Sequence, residues 1–199
     1  MITEKLVESL QKKGYIPHVF ENKDEAKAYL LSEIHDTTVG IGGSMTVQEM
    51  GLYESLCENN RVYLHWKEKG QETVRAAAFS DVYILSANGV AETGEIVNID
   101  GTGNRVAASV IGHNRVYMII GENKIVPTRE EAYDRARNIA APLNARRLSR
   151  KTPCATGDEV RCFDCSSPER ICNACMIFER KPNGIPEYHI VLVKEKLGY

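Results

Sequence analysis

Thr38-Val39-Gly40-Ile41-Gly42-Gly43-Ser44-Met45-Thr46 decides how this chain is read. A short apolar strand, Thr38–Ile41, runs straight into a glycine turn, and Thr46–Cys57 beyond it has the composition of a helix. Glycines tolerate positive φ and let the backbone approach a ligand closely. A helix starting there would offer unpaired N–H groups and a partial positive charge, to which Ser44 and Thr46 add hydroxyl donors. Phosphate or carboxylate suits such a loop. The stretch lacks the G-K-[ST] of a Walker loop and is not a full G-x-G-x-x-G. Two readings stand open: an anion site at Gly40, Gly42, Gly43, Ser44, Met45 and Thr46, or a tight turn with Ser44 as a plain helix N-cap.

Outward from this stretch, strands and helices alternate. Helices are expected over Thr3–Lys13, Asp24–Ile34, Glu72–Phe79 and Gly103–Ile111, with a long one over Arg129–Arg147 capped by Thr128. Tyr15–Phe20, Val62–Leu64, Val82–Ser86, Ile96–Ile99 and Val116–Ile120 read as strands. This order implies an α/β fold, a mostly parallel sheet with helices on both faces. The organisation expected is an α/β domain over 1–150, a cysteine-rich metal-binding insertion over 151–186, and a C-terminal strand within 187–199 that rejoins the main sheet.

A second glycine loop, Asn98-Ile99-Asp100-Gly101-Thr102-Gly103-Asn104-Arg105, also follows a strand. Loops at the carboxyl ends of parallel strands share one edge and build a common crevice. Asp100, Gly101, Gly103, Asn104 and Arg105 are therefore candidate ligand residues. Arg105 could pair an anion bidentately, and Asp100 could act as a base. The alternative is a turn with Asp100 as a helix cap. Glu92, in Asn88–Gly94, is a further candidate carboxylate, set against the leading reading of a solvated loop glutamate.

The cysteines are spaced Cys154-x7-Cys162-x2-Cys165-x6-Cys172-x2-Cys175. Thiolates two residues apart in a tight turn can grip one metal, and a second pair completes four-coordination. Zinc would take both C-x-x-C pairs. An iron–sulfur cluster also takes four thiolates and would accept Cys154, Cys162, Cys165 and Cys172. Cys57, alone on a helix, reads as a buried apolar filler.

With 25 Lys and Arg against 27 Asp and Glu, the net charge of -2 gives no basic field for nucleic acid. No apolar run approaches membrane-spanning length, and a cytoplasmic location is expected. There, cysteines serve as thiols or metal ligands more often than as disulfides. Arg146, Arg147, Arg150 and Lys151 read as a solvated helix end or a docking patch for an acidic redox partner. The five histidines are scattered, and Trp66 reads as packing.

Taken together, VGIGGSMT, SANGVAETGEIVNIDGTGNRVA, GENKIV, PLNARRLSRKTPCATG, DCSSPERIC and IVLVKEKLGY resemble the lactate-utilisation (LUD) domain family over almost the whole chain. The resemblance implies a fold similar to the sugar-phosphate isomerase and CoA-transferase superfamily, and a role near oxidation of lactate or a related 2-hydroxy acid. It also implies iron–sulfur partner subunits. In short members of the family the recurring cysteines correspond to Cys154, Cys162, Cys165 and Cys172, with Cys175 an extra, which tilts the choice from zinc toward a cluster. Three functions follow: an accessory or electron-transfer subunit, an isomerase- or transferase-like enzyme on a phosphorylated or CoA-linked molecule, or a non-catalytic scaffold that binds an anionic small molecule.

Overall fold

The computed structural model describes all 199 residues. In chain order the elements are α1 (Glu4–Lys12), β1 (Ile16–Phe20), α2 (Lys23–Glu33), β2 (Thr38–Ile41), α3 (Met45–Glu49), α4 (Leu52–Leu56), β3 (Arg61–Tyr63) and α5 (Gln71–Ala78). They continue with β4 (Val82–Ser86), β5 (Gly89–Ala91), β6 (Ile96–Asp100), α6 (Asn104–Ala108), β7 (Arg115–Gly121) and β8 (Ile125–Val126). The last are α7 (Arg129–Arg135), α8 (Ala141–Arg147), α9 (Pro153–Thr156), β9 (Ala174–Phe178) and β10 (Glu187–Val193).

Six parallel strands form the main sheet in the order β1-β10-β7-β4-β2-β3. Successive side chains of a strand point to opposite faces, so each strand feeds two cores. On one face Val82, Ile84, Tyr117, Ile119 and Val191 pack with Ala26, Leu30 and Ile34 near α2. On the other, Tyr83, Leu85, Val116, Met118 and Ile190 meet Leu6 and Leu10 of α1. Both faces are covered, which is why these strands read as continuous apolar runs rather than as alternating patterns. Pro17 sits in β1, an edge strand, where a missing N–H costs the ladder least.

A second, four-stranded sheet runs β8-β5-β6-β9, with β5–β6 and β6–β9 antiparallel. None of β5, β8 and β9 is a strand in the sequence reading: the first two have three and two residues, too few to show a period. β9 holds the last cysteine, Cys175, and shows its partly buried face only when paired with β6.

Two expected helices are broken. Thr46–Cys57 divides at Gly51, whose φ of 58° is left-handed, giving α3 and α4. The long helix over Arg129–Arg147 passes through a π-helical stretch at Ala136–Ala140, just before Pro142. Proline lacks the N–H that would continue the regular ladder, and the wider turn absorbs the mismatch.

No helix is long and apolar enough to cross a membrane.

Candidate functional site

The carboxyl ends of β2, β3, β4 and β7 open on one polar cleft of about 310 Å³. In an open parallel sheet this edge is where loops from neighbouring strands converge. Here they bring Gly43–Thr46, His65–Trp66, Ser86–Asn88 and Lys124 together. The loop after β6 adds Asp100–Thr102, Asn104 and Arg105, and the end of α8 adds Asn144 and Arg147.

Both glycine loops face the same space, although β6 belongs to the second sheet and not, as expected from the sequence, to the parallel one. Gly43, Ser44, Met45, Thr46, Asp100, Gly101, Asn104 and Arg105 line it. Gly40, Gly42, Gly103 and Glu92 do not. Glu92 sits at the turn after β5, 3.7 Å from Lys5.

The first loop's glycines are explained by close packing, since none has positive φ. A Cβ on Gly40 would lie 2.2 Å from the Ala77 carbonyl oxygen, and one on Gly42 2.8 Å from the Tyr83 hydroxyl. A Cβ on Gly43 would lie 2.7 Å from the Trp66 indole. Ser44 caps α3 by accepting the Val47 N–H at 3.4 Å. Gly103 differs: its φ of 91° needs glycine, and it starts α6.

Asp100 accepts the backbone N–H of Arg105 at 2.8 Å and that of Val106 at 3.3 Å, so it serves as the cap of α6 from the cleft wall. The Arg105 guanidinium donates to the Ile99 carbonyl at 2.5 Å and to Asn88 Oδ1 at 3.2 Å. These bonds fix its position at the cleft.

Lys124 has no forerunner among the residues singled out from the sequence. It is 3% exposed. Its Nζ donates to Thr46 Oγ1 at 2.8 Å and Ser86 Oγ at 2.7 Å. Burial, then the nearby Arg135 and Arg105 charges, push its pKa down to about 7, against a weaker pull from Glu49. The available signal was its place in the GENKIV stretch that carries the family resemblance, directly before Ile125-Val126.

Thr46 in turn donates to the Leu197 carbonyl at 3.2 Å, and Glu49 accepts the Gly198 N–H at 2.8 Å, so residues 197–199 lie along the cleft. Trp66 is more than packing: it lines the cleft with the Arg147 guanidinium 4.8 Å above its ring. The basic run at the end of α8 is divided. Arg146 turns toward the cysteine segment, donating to the carbonyls of Cys154, Gly157 and Glu159, while Arg147 and Arg150 line the cleft.

Cys154, Cys162, Cys165 and Cys172 line one small cavity of about 20 Å³ with Arg137 and Arg170. Cys175 lies in β9, opposite Ile99, outside that cavity. Burial raises the Cys172 thiol pKa, and Arg170 and Arg137 partly offset this. No three His, Cys, Asp or Glu side chains group closely enough to hold a metal ion. Cys154, Cys162, Cys165 and Cys172 nonetheless open on that cavity beside two guanidiniums, which would offset the negative charge of a thiolate-held cluster. Ala141 and Ile171 line both this cavity and the cleft, so the two adjoin.

Fold and cleft together define a parallel α/β domain with a cationic pocket at the carboxyl edge of its sheet. The chain belongs to the LUD domain family, whose model matches residues 3–193. That membership supports a function related to lactate utilisation in general. The chain is also similar in fold to a DUF162 family protein from Deinococcus radiodurans, at a TM-score of 0.55 and 11% identity. The likeness covers 95% of this chain and 94% of that one. No curated protein matches the chain in sequence.

Proposed function

We propose that the cleft binds a small organic anion, and that the protein serves as an accessory or electron-transfer subunit in oxidation of lactate or a related 2-hydroxy acid. One observation carries the binding claim. Arg105, Lys124, Arg147 and Arg150 face the cleft against a single side-chain carboxylate, Asp100, which is already engaged by backbone N–H groups. Cations held in a partly dry recess favour a carboxylate or phosphate far more than they would in water.

The electron-transfer part rests on the cysteines. Cys154, Cys162, Cys165 and Cys172 would hold an iron–sulfur cluster, which when bound supplies one-electron chemistry. The shared wall at Ala141 and Ile171 supports a path between that centre and the cleft. Zinc held by both C-x-x-C pairs is the competing cofactor and would need Cys175, which does not line the cavity of the other four.

A second reading, an isomerase- or transferase-like activity on a phosphorylated or CoA-linked molecule, is favoured by Asp100 and Lys124 lying in one cleft. Thermal unfolding with L-lactate, a sugar phosphate and a CoA ester separates the two, since a ligand at roughly 100 times its Kd stabilises by about 2.7 kcal/mol. Stabilisation by L-lactate alone supports the hydroxy-acid reading, and stabilisation with turnover of the phosphate or thioester supports the second. Binding without turnover by any partner complex marks a scaffold. For the cofactor, anaerobically purified protein is expected to be coloured and to contain iron. Cys172→Ser should lose the colour and Cys175→Ser should keep it. Colourless protein with stoichiometric zinc would remove the electron-transfer role.

A further inference from the structure

Lys124 is buried at the floor of the cleft with only neutral partners, the hydroxyls of Thr46 and Ser86. Every element packed about it adds charge of one kind or little of the other. Arg105 and Arg135 oppose its ammonium, and Glu49 is the one carboxylate that favours it, the weakest of the influences on it. Arg135 is itself committed elsewhere, donating to the carbonyls of Asn123 and Asn88. A buried ammonium without a counter-charge is costly, and structures usually pair such a group or leave it neutral. The cleft adjoins its Nζ, so the missing counter-charge can come from solvent space.

We propose that Lys124 is the anion-receiving residue of the cleft: a ligand carboxylate or phosphate supplies its counter-charge, and binding takes up one proton at its Nζ. The step balances simply, since the amine gains a proton from solvent and the bound anion pairs with the resulting ammonium. Thr46 and Ser86 then act as positioning residues, whose oxygens accept from Nζ and aim its third N–H at the ligand. The role rests on the anion-binding reading above and assigns its centre.

The direction of the pH effect follows from burial. The free protein holds Lys124 with a pKa near 7, so the amine is largely neutral in alkaline solution, and an anion must recruit the proton before it can pair. Affinity should fall as pH rises. His65 lines the same cleft, but burial lowers its pKa below the ordinary value, so it is neutral across an alkaline window.

The test uses L-lactate and inorganic sulfate, two anions that do not titrate in this range, in calorimetric titrations of the full chain at about pH 7 and about pH 9. Wild type should bind about tenfold or more weakly at the higher pH, as linkage to a group titrating near the lower one requires. Titrations in two buffers of different ionisation enthalpy should show net proton uptake at the higher pH. Lys124→Met, which keeps the volume and removes a buried charge, should bind weakly at both pH values with no proton uptake. Lys124→Arg, permanently charged, should bind without the pH dependence. Equal wild-type affinity at both pH values, or undiminished binding by Lys124→Met, overturns the role of Lys124 and leaves the anion site standing. If wild type binds neither anion at either pH, the anion-binding reading falls as well.

Discussion

The Asp100 carboxylate accepts the Arg105 backbone N–H at 2.8 Å, so the acid of the second loop is tied to the backbone that carries its cation before any ligand arrives. The relationship separates two roles for Asp100. A cap survives replacement by asparagine, whereas a general base does not. Asp100→Asn should therefore leave stability within a few tenths of a kcal/mol, and Asp100→Ala should cost about 1 kcal/mol in denaturant unfolding. If turnover is found with any substrate and Asp100→Asn abolishes it without loss of stability, Asp100 is a catalytic base and not merely a cap.

The glycines of the first loop act through packing. Gly40→Ala would drive a methyl against the Ala77 carbonyl 2.2 Å away, a backbone group that cannot step aside. A loss of about 1–3 kcal/mol is expected from such overpacking. Gly43→Ala meets the Trp66 indole at 2.7 Å, a side chain at the cleft wall that can yield. Its stability loss should be the smaller of the two, with the larger effect on ligand affinity. Chemical denaturation of both variants beside anion titrations checks the order, and equal losses would show that Trp66 is as immovable as backbone.

Buried Lys124 gives the apo protein a signature in its pH–stability curve. The folded pKa of about 7 lies below the ordinary 10.5, so between those values the unfolded chain holds the proton and the native state does not. Stability contributed at this site is lowest below about pH 7 and rises toward about pH 10.5. Lys124→Met removes the dependence. The variant should thus exceed wild type in stability most at about pH 6, with the gap narrowing by about pH 9. A gap that stays constant would mean the ammonium is satisfied in the free protein.

Much of this was legible in the chain itself, and for identifiable reasons. The strand–glycine–helix order around Gly42 and the loop at Asp100–Arg105 are local patterns, but only the first follows a strand of the parallel sheet; β6 lies in the second sheet, and it is the placement of that sheet that brings its loop to the same cleft. Other parts depend on long-range partners. β5 and β8 are too short to carry a period, and β9 owes its place to pairing with β6 across more than seventy residues. Lys124 stands in Gly-Glu-Asn-Lys, a stretch whose composition reads as a solvated turn, and only the hydroxyls of Thr46 and Ser86 show it turned inward. The run at the end of α8 reads as one basic patch, yet Arg146 holds the cysteine segment while Arg147 lines the cleft. The cysteine spacing announces a cavity, but it does not reveal that Cys175 belongs to a strand.

The account stands or falls on where a small anion binds. Amide chemical-shift mapping of isotope-labelled protein with L-lactate locates that site directly. The predicted perturbations centre on Gly43–Thr46, Ser86–Asn88, Asp100–Arg105 and Lys124, and they saturate together. Shifts confined to another surface, or none at all as lactate is raised to high millimolar concentration, would contradict it.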